Sequence, residues 1–471
     1  MYDSLLEGIS MSHDLNIIIL AAGKGTRLGV DTPKPLLPFQ NINLIHQVIS
    51  TSLKIDGKIK LSIIVGHKKE RVIEYIDECF PKLEVEFIFQ EKQLGTGHAI
   101  SEYLSQTKNN TSDVMILCAD TPLITINALN LLLEFQKENN LNAAGLSFIA
   151  NNPYGYGRIK REKGFSGINI IEEKDACEED KKISEVNSGI YLVKRNYLEK
   201  KIKNIDNENK SGEFYLTDIM DKAESCNFIT LDNGENVFLG VNTMDQLEQT
   251  ELIARENVLL GHKKNGVRFL DSSSVFIDPE VKIDSGVTIM PNVHLRGKTF
   301  IGKNSLIEVG AIIMNSSIGE SVTIFPYTVV EDSKIERSAK IGPFARIRPN
   351  SQIGESCKIG NFVETKKAEL QSGAKVSHLS YVGDASIGKN TNIGCGFITC
   401  NYDGKNKHQT KIGDNCFIGS DSQMIAPVNI GNDCFVASGS TINSDLKSGD
   451  FAISRSRQVT KQGMAKKFLK K

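Results

Sequence analysis

Aliphatic side chains recur every six residues across the second half of this chain, and that period excludes most folds. Ile277, Ile283, Ile289, Leu295, Ile301, Ile307 and Ile313 keep it without a miss. The phase slips by one residue at Ile318 and returns at Ile335, Ile341, Ile347, Ile353 and Ile359. A last run reads Ile412, Ile418, Met424, Ile430, Val436 and Ile442. An α-helix repeats its apolar face at i, i+3, i+4 and i+7, and a half-buried strand repeats at every second residue. A six-residue period fits neither; it fits a parallel β-helix, in which a short strand and a turn form each unit and one residue per unit points into the axis. Glycine follows the aliphatic residue at Gly302, Gly342, Gly354, Gly360, Gly388, Gly413 and Gly431. These glycines are expected to make the corners, where a Cβ would strain the turn.

Length and charge bound the rest. A chain of 471 residues has a soft prior of about three domains, and the pattern here supports two. The 57 acids and 56 bases nearly cancel, so no global field points to nucleic acid or an anionic membrane. No apolar run approaches the roughly 20 residues of a membrane span, and residues 1–15, read as a flexible extension, lack the marks of a signal peptide. Nine cysteines show no C-x-x-C pair and no zinc spacing, which fits reduced thiols in the cytoplasm.

The first half alternates strand-like and helix-like segments. Asn16 to Leu20, Leu61 to Val65, Val85 to Phe89 and Val114 to Leu117 read as buried strands, with amphipathic stretches such as Arg71 to Cys79 between them. That is the pattern of an α/β domain with a largely parallel sheet, whose ligands gather at the carboxyl ends of strands. The first strand runs into Ala21-Ala22-Gly23-Lys24-Gly25-Thr26-Arg27. A glycine-rich turn there can bring backbone N–H groups up to phosphate oxygens. The spacing is neither a P-loop nor the dinucleotide fingerprint, since the third glycine would fall at Leu28. Alone the turn reads as an ordinary loop; Lys34, held between Pro33 and Pro35, adds a fixed cation and favours a phosphate site. Asp120 follows the strand ending at Leu117 and is either a turn-forming residue or a Mg²⁺ ligand, since Mg²⁺ takes few protein ligands. Gln90 and the turn Gly95-Thr96-Gly97 are either a helix entry or the resting place of a flat base.

The stretch from Leu20 to Arg27, with Pro33-Lys34, resembles the signature of sugar-phosphate nucleotidyltransferases. Joined to a hexapeptide β-helix, it resembles the bifunctional bacterial N-acetylglucosamine-1-phosphate uridyltransferase/glucosamine-1-phosphate acetyltransferase family, from about Ile17 to Arg455. The resemblance implies an α/β fold with a Rossmann-like nucleotidyltransferase domain over 16–242, a connecting helix over 243–262, a left-handed parallel β-helix of hexapeptide repeats over 263–455, and a basic tail over 456–471. Thr243 and Gln246 have capping-box spacing for the helix, and Gly261 is its expected stop.

The same resemblance implies UTP and acetyl-CoA as co-substrates, Mg²⁺ as cofactor and a homotrimer as the assembly. In the first domain it places nucleotide on Leu20, Ala21, Ala22, Gly23, Gln90, Gly95 and Thr96, with Arg27 and Lys34 dissipating charge on the phosphates. Gly157, Glu172 and Asn187 would hold the aminosugar. Asp120 and Asn242 would hold the metal. The family has glycine where this chain has Ala119, an added methyl beside the nucleotide.

In the β-helix the hexads break between Ile359 and Ile387 and again at Cys400 to Lys405. Loops displaced from a rigid scaffold are where sites are built. His378, with Lys366, Tyr381, Asn401 and Tyr402 on the interruptions and Arg348 upstream, suggests a polar site. The resemblance makes His378 the base that takes a proton from the sugar amine, a task suited to an imidazole. It gives Arg348 and Lys366 the sugar phosphate, Tyr381 and Asn392 the sugar, and Cys395, Asn401, Tyr402, Ser420, Ser438 and Arg455 the coenzyme. Two rivals are a single-activity nucleotidyltransferase with a structural or regulatory β-helix, and a non-catalytic trimeric scaffold that merely binds nucleotide.

Overall fold

The structure, a computed structural model, describes residues 15–23, 25, 28–107, 112–161, 168–220 and 225–469. Of the expected N-terminal extension, residues 1–14 fall outside that set; so do Arg27 and the last two residues of the tail. The chain divides into two compact units, Met1–Ala254 and Arg255–Lys471.

The first unit is built on a nine-stranded sheet. Its main path runs Cys226–Leu231, Ala143–Ile149, Glu185–Val193, Asp113–Cys118, Leu15–Ala21, Ile59–Val65 and Val85–Phe89. Leu15–Ala21 lies parallel to Ile59–Val65 on one side and to Asp113–Cys118 on the other, so the strand order reverses around it. Such a reversal leaves a crevice at the carboxyl ends of the central strands. Glu185–Val193 runs antiparallel to both neighbours. The Ile, Val and Leu residues that make these strands apolar are almost all fully buried, with helices covering the faces. Ala119 is buried in that core.

The helix Met244–Lys264 opens with the expected capping box. Gln246 N–H donates to Thr243 Oγ1 at 3.2 Å, while Gln246 Oε1 accepts from the Asn242 and Thr243 N–H groups. It does not stop at Gly261. A glycine in an exposed helix turn costs only about 1 kcal/mol, and the left-handed stop comes at Gly266, whose φ is 83°. There the Val267 N–H closes back on His262 O at 3.1 Å.

The second unit is a parallel β-helix. Every aliphatic marker of the six-residue ruler is buried. Each contributes about 1.5–3 kcal/mol relative to an exposed side chain. Successive rungs pair in register: Ile289 with Ile307, Ile307 with Ile324, Ile324 with Ile341, Ile341 with Ile359, Ile359 with Val376 and Val376 with Ile393. Three hexads therefore make one coil. The next pair is Ile393 with Ile418, a longer step that accommodates the loop from Asn401.

The corner glycines have a different cause from the expected one. Of the seven, Gly342 alone has a positive φ. At Gly302, Gly354, Gly388, Gly413 and Gly431 a Cβ would instead meet an atom of the next coil at 2.3–2.7 Å. Close stacking of coils requires glycine there. The left-handed residues of the turns are largely Asn, Ser and Asp, among them Asn304, Ser338, Asn390 and Asp433.

Candidate functional site

In the first unit the cation and the oxygen ligands expected from the sequence meet at one point. Lys34 Nζ donates to Asp120 Oδ2 in a short ion pair and to Asn242 Oδ1 at 2.9 Å. Residues 86 and 208 positions apart are thereby joined. Local structure explains each placement. Lys34 opens a single 3-10 turn after Pro33, and its Cβ packs against Gly25, which adopts φ 62°. Asp120 follows the strand Asp113–Cys118, anchored by the Ala119 N–H on Leu20 O at 3.1 Å. Its own carbonyl accepts from the Val241 N–H at 2.9 Å, which brings Asn242 alongside.

Two hard oxygens of different residues converging on one cation suit a small oxygen-preferring metal, which keeps most of its shell for substrate and water. Among the described residues no cluster of three His, Cys, Asp or Glu could hold a metal.

Asp120 and Asn242 line a cleft of about 680 Å³ together with Cys118, Tyr156, Glu172 and Tyr215. Glu172 is the sugar-side carboxylate expected from the sequence. Burial pushes its pKa up, and the charges of Asp218, Asp175 and Glu213 add to the rise; a hydrogen bond from Thr217 Oγ1 at 3.2 Å opposes it. A Cβ on Gly157 would stand 3.1 Å from Ile170 Cγ2 and 3.5 Å from both Glu172 oxygens, so glycine lets the chain pack closely beside that carboxylate. The Asn187 N–H donates to Gly157 O at 2.9 Å, completing the trio. Asn187 itself is committed inward, donating to the buried Tyr191 hydroxyl at 2.6 Å and accepting from the Gly189 N–H.

Thr217, Asp218 and Tyr215 were not singled out in the sequence, because a short polar turn carries no periodic signal. Asp218 is pushed up to about 6, chiefly by burial and then by Asp206 and Asp175. The ordinary value is 3.8, so between about pH 4 and pH 6 the native state binds more protons than the unfolded chain. Stability contributed by this group is therefore present at pH 4 and lost as pH rises through 6. Asp218→Asn is expected to raise the melting temperature at pH 7.5 and not at pH 4. Allowing for its partial exposure, the gain is about 1 kcal/mol; equal melting shifts at both pH values would contradict this.

Ala22, Gln90 and Gly95 are also brought together. The Gln90 N–H donates to Val65 O at 2.9 Å, and a Cβ on the intervening Gly66 would meet Gln93 Nε2 and Ala22. The chain packed against Gly95 and Gly97 is the Glu213–Tyr215 segment: a Cβ on Gly95 would lie 2.5 Å from Phe214 O. Thr96 Oγ1 accepts from the Leu216 N–H at 3.1 Å, fixing the same segment. Those glycines thus seat a chain segment, and Gln90 lies buried beside it.

In the second unit the register stacks residues two positions beyond each inward aliphatic. Asn361 pairs with His378, and the Val376–Ile393, Ile393–Ile418 and Ile418–Val436 pairs carry the column on through Cys395, Ser420 and Ser438. Arg455 closes it, donating through Nη1 to Ser438 O at 2.7 Å. His378 is exposed, and its Nδ1 lies 2.8 Å from Asn361 Oδ1.

A second column holds Arg348 and Lys366 on adjacent rungs, through the Ile347–Thr365 pair. Glu364 accepts from Arg348 Nη1 at 2.7 Å and raises the guanidinium pKa through that hydrogen bond first. Lys407, missed in the sequence, sits against Lys366 and lowers its pKa, first by hydrogen bonding and then by charge. A pair of lysines held this close is a place for a dianion. Tyr381 pairs with Glu364, and its hydroxyl occupies the space above Gly383, beside Lys366 in register.

The loop after Cys400 is pinned by Asn401 Nδ2 on Asp384 Oδ2 at 2.5 Å and by the Tyr402–Lys407 bridge, with the Tyr402 ring exposed. Asn392 is not brought to this group. It stands in a different column, between Lys375 and Phe417, and shares no hydrogen bond with His378 or Tyr381 among the described residues. All nine cysteines are free, and among the described residues no helix is long and apolar enough to cross a membrane.

Comparison with known proteins agrees with both halves. A family profile described as nucleotidyl transferase matches residues 16–230, one described as GMPPB C-terminal domain matches 329–402, and one described as bacterial transferase hexapeptide matches 409–444. The chain is 41% identical over 457 residues to the bifunctional protein GlmU of Clostridioides difficile, covering 96% of this chain and 97% of that one. It is 42% identical over 460 residues to that of Thermoanaerobacter pseudethanolicus, covering 96% and 98%. It is 40% identical over 464 residues to that of Staphylococcus haemolyticus, covering 96% and 99%.

Proposed function

The chain belongs to the bifunctional GlmU family, and on that premise we propose that it acetylates glucosamine 1-phosphate with acetyl-CoA and then joins N-acetylglucosamine 1-phosphate to UTP. The products are CoA, pyrophosphate and UDP-N-acetylglucosamine, a precursor of cell-wall polymers made in the cytoplasm. The observation that carries this reading is the meeting of Lys34, Asp120 and Asn242 at the edge of the cleft that holds Glu172.

For uridyl transfer, a sugar-phosphate oxygen attacks the α-phosphorus of UTP and the bond to the β-phosphate breaks. Charge builds on the phosphoryl oxygens, and a preorganised cation lowers that cost. Lys34 is such a cation, fixed by two partners. Asp120 and Asn242 would hold Mg²⁺, which when bound supplies further positive charge against the triphosphate. Glu172 would accept from the aminosugar, and Gln90 would meet the uracil. Arg27 is assigned to phosphate by resemblance alone.

For acetyl transfer, the amine nitrogen attacks the thioester carbonyl, its proton passes to His378, and CoA leaves as a thiolate that regains a proton. Asn361 Oδ1 at His378 Nδ1 keeps the ring proton on that side, leaving Nε2 bare as the base. Arg348, Lys366 and Lys407 would neutralise the sugar phosphate, with Tyr381 beside it. The small residues Cys395, Ser420 and Ser438 would form the floor for the coenzyme, with Asn401, Tyr402 and Arg455 at its edges. Asn392 lies on the same sheet as His378 but in the column of Lys375 and Phe417; it would serve the site of a neighbouring subunit in a homotrimer.

The direct test mixes glucosamine 1-phosphate, acetyl-CoA, UTP and Mg²⁺ and omits one at a time. UDP-N-acetylglucosamine should need all four, and formation of a UDP-sugar without acetyl-CoA would leave a single-activity nucleotidyltransferase. Asn361→Ala should lower acetyl transfer about tenfold, as loss of a positioning hydrogen bond does, and flatten its pH profile; an unchanged profile would free His378 of that partner.

A further inference from the structure

The amide of Gln90 is buried and its nitrogen is fully committed. Nε2 donates to Gly95 O at 3.1 Å and faces His98 Nδ1 at 3.0 Å. Reversing the amide would set Oε1 against a carbonyl oxygen, so nitrogen belongs on that side and both its hydrogens are used. His98 Nδ1 is then necessarily the bare, accepting nitrogen. The ring proton sits on Nε2, which faces Glu102 Oε1 at 3.4 Å. Glu102 Oε2 in turn accepts from Gln106 Nε2 at 3.2 Å, and that amide also donates to Phe89 O at 3.3 Å. The ring of Phe214 lies tilted 6.4 Å from that of His98. A relay thus runs from Gln106 through Glu102 and His98 to Gln90, and Gln90 Oε1 accepts no hydrogen bond among the described residues.

We propose that His98 is a positioning residue for nucleobase choice: it holds the Gln90 amide with its acceptor outward, so the site takes a pyrimidine presenting N–H at N3 and rejects one presenting a lone pair there. Uracil has that N–H and cytosine does not. The proposal rests on reading Gln90 as the base contact. Without His98, the Gly95 carbonyl alone holds the amide, and the orientation that would favour cytosine becomes less costly by one hydrogen bond. Donor-against-donor or acceptor-against-acceptor contacts in a buried site are what make such discrimination strong.

The test measures kcat/KM for UTP and for CTP, with N-acetylglucosamine 1-phosphate, on the full-length protein and on His98→Phe, His98→Asn and Gln90→Leu. His98→Phe keeps a ring and removes the acceptor; it should lower the UTP-to-CTP ratio about tenfold, the worth of one hydrogen bond, mostly through KM for UTP. His98→Asn returns an acceptor in the place of Nδ1 and should restore the ratio. Acetyl transfer should stay unchanged in all three, which reports on folding. An unchanged ratio in His98→Phe, with the ratio collapsed in Gln90→Leu, overturns the positioning role and keeps the base contact. An unchanged ratio in Gln90→Leu overturns the base contact itself. An equal loss for both nucleotides in His98→Phe, not restored by Asn, overturns the proposal in favour of simple packing.

Discussion

Asp120→Ala should abolish UDP-sugar formation while acetyl transfer continues at its original rate. Asp120 is the carboxylate that meets Lys34, and with Asn242 it supplies the hard oxygens proposed for Mg²⁺. Removing it takes away the one carboxylate proposed for the metal and leaves Lys34 held by Asn242 alone, so two sources of positive charge at the triphosphate are weakened together. Loss of one preorganised electrostatic partner typically costs about 10²–10³-fold in turnover, and here the loss should reach at least that. Asp120→Asn separates the parts: it keeps an oxygen for Lys34 but removes the charge. Both half-reactions should be followed across a Mg²⁺ series. Wild-type uridyl transfer by Asp120→Ala at limiting Mg²⁺ would remove Asp120 from the metal site.

His378→Ala should cut acetyl-transfer turnover by about 10²–10⁴-fold, the usual contribution of a positioned general base, and leave uridyl transfer untouched. Binding of acetyl-CoA should change little, because the residues proposed for the coenzyme lie further along the column from Cys395 to Ser438. The loss should shrink as pH rises, since more of the substrate amine is then already neutral and needs no base. Rates of both half-reactions over a pH series decide it. An equal fall in both activities would signal misfolding, and an unchanged acetylation rate would leave His378 as a surface residue.

The two sites differed in how visible they were beforehand. Lys34 and Asp120 could be named in advance because they sit at a stiffened turn and after a strand end, where an ion has no packing role; Asn242 was named by resemblance alone. Lys407 could not, since a lysine in an exposed loop is ordinarily solvated; what distinguishes it is Lys366 against it across the loop. His98 was equally hidden, reading as one more residue of a helix entry until its ring was found beside the Gln90 amide. The corner glycines were found for a partly mistaken reason. Their function depends on the distance to the next coil rather than on their own dihedral angles.

Periodicity is a local property, so the six-residue ruler was sufficient to identify the β-helix, its inward face and the places where it breaks. The alternation of strands and amphipathic helices did the same for the α/β unit, because a strand buried on both faces must be apolar throughout. Which polar groups meet is a different kind of information. Whether Asn187 turns inward to Tyr191, whether the connecting helix runs past Gly261, and whether Asn392 shares a column with His378 depend on packing between residues far apart along the chain. Hydrogen-bond geometry is satisfied or lost within a few tenths of an ångström. No pattern of residue types carries that precision, and the folded arrangement alone supplies it.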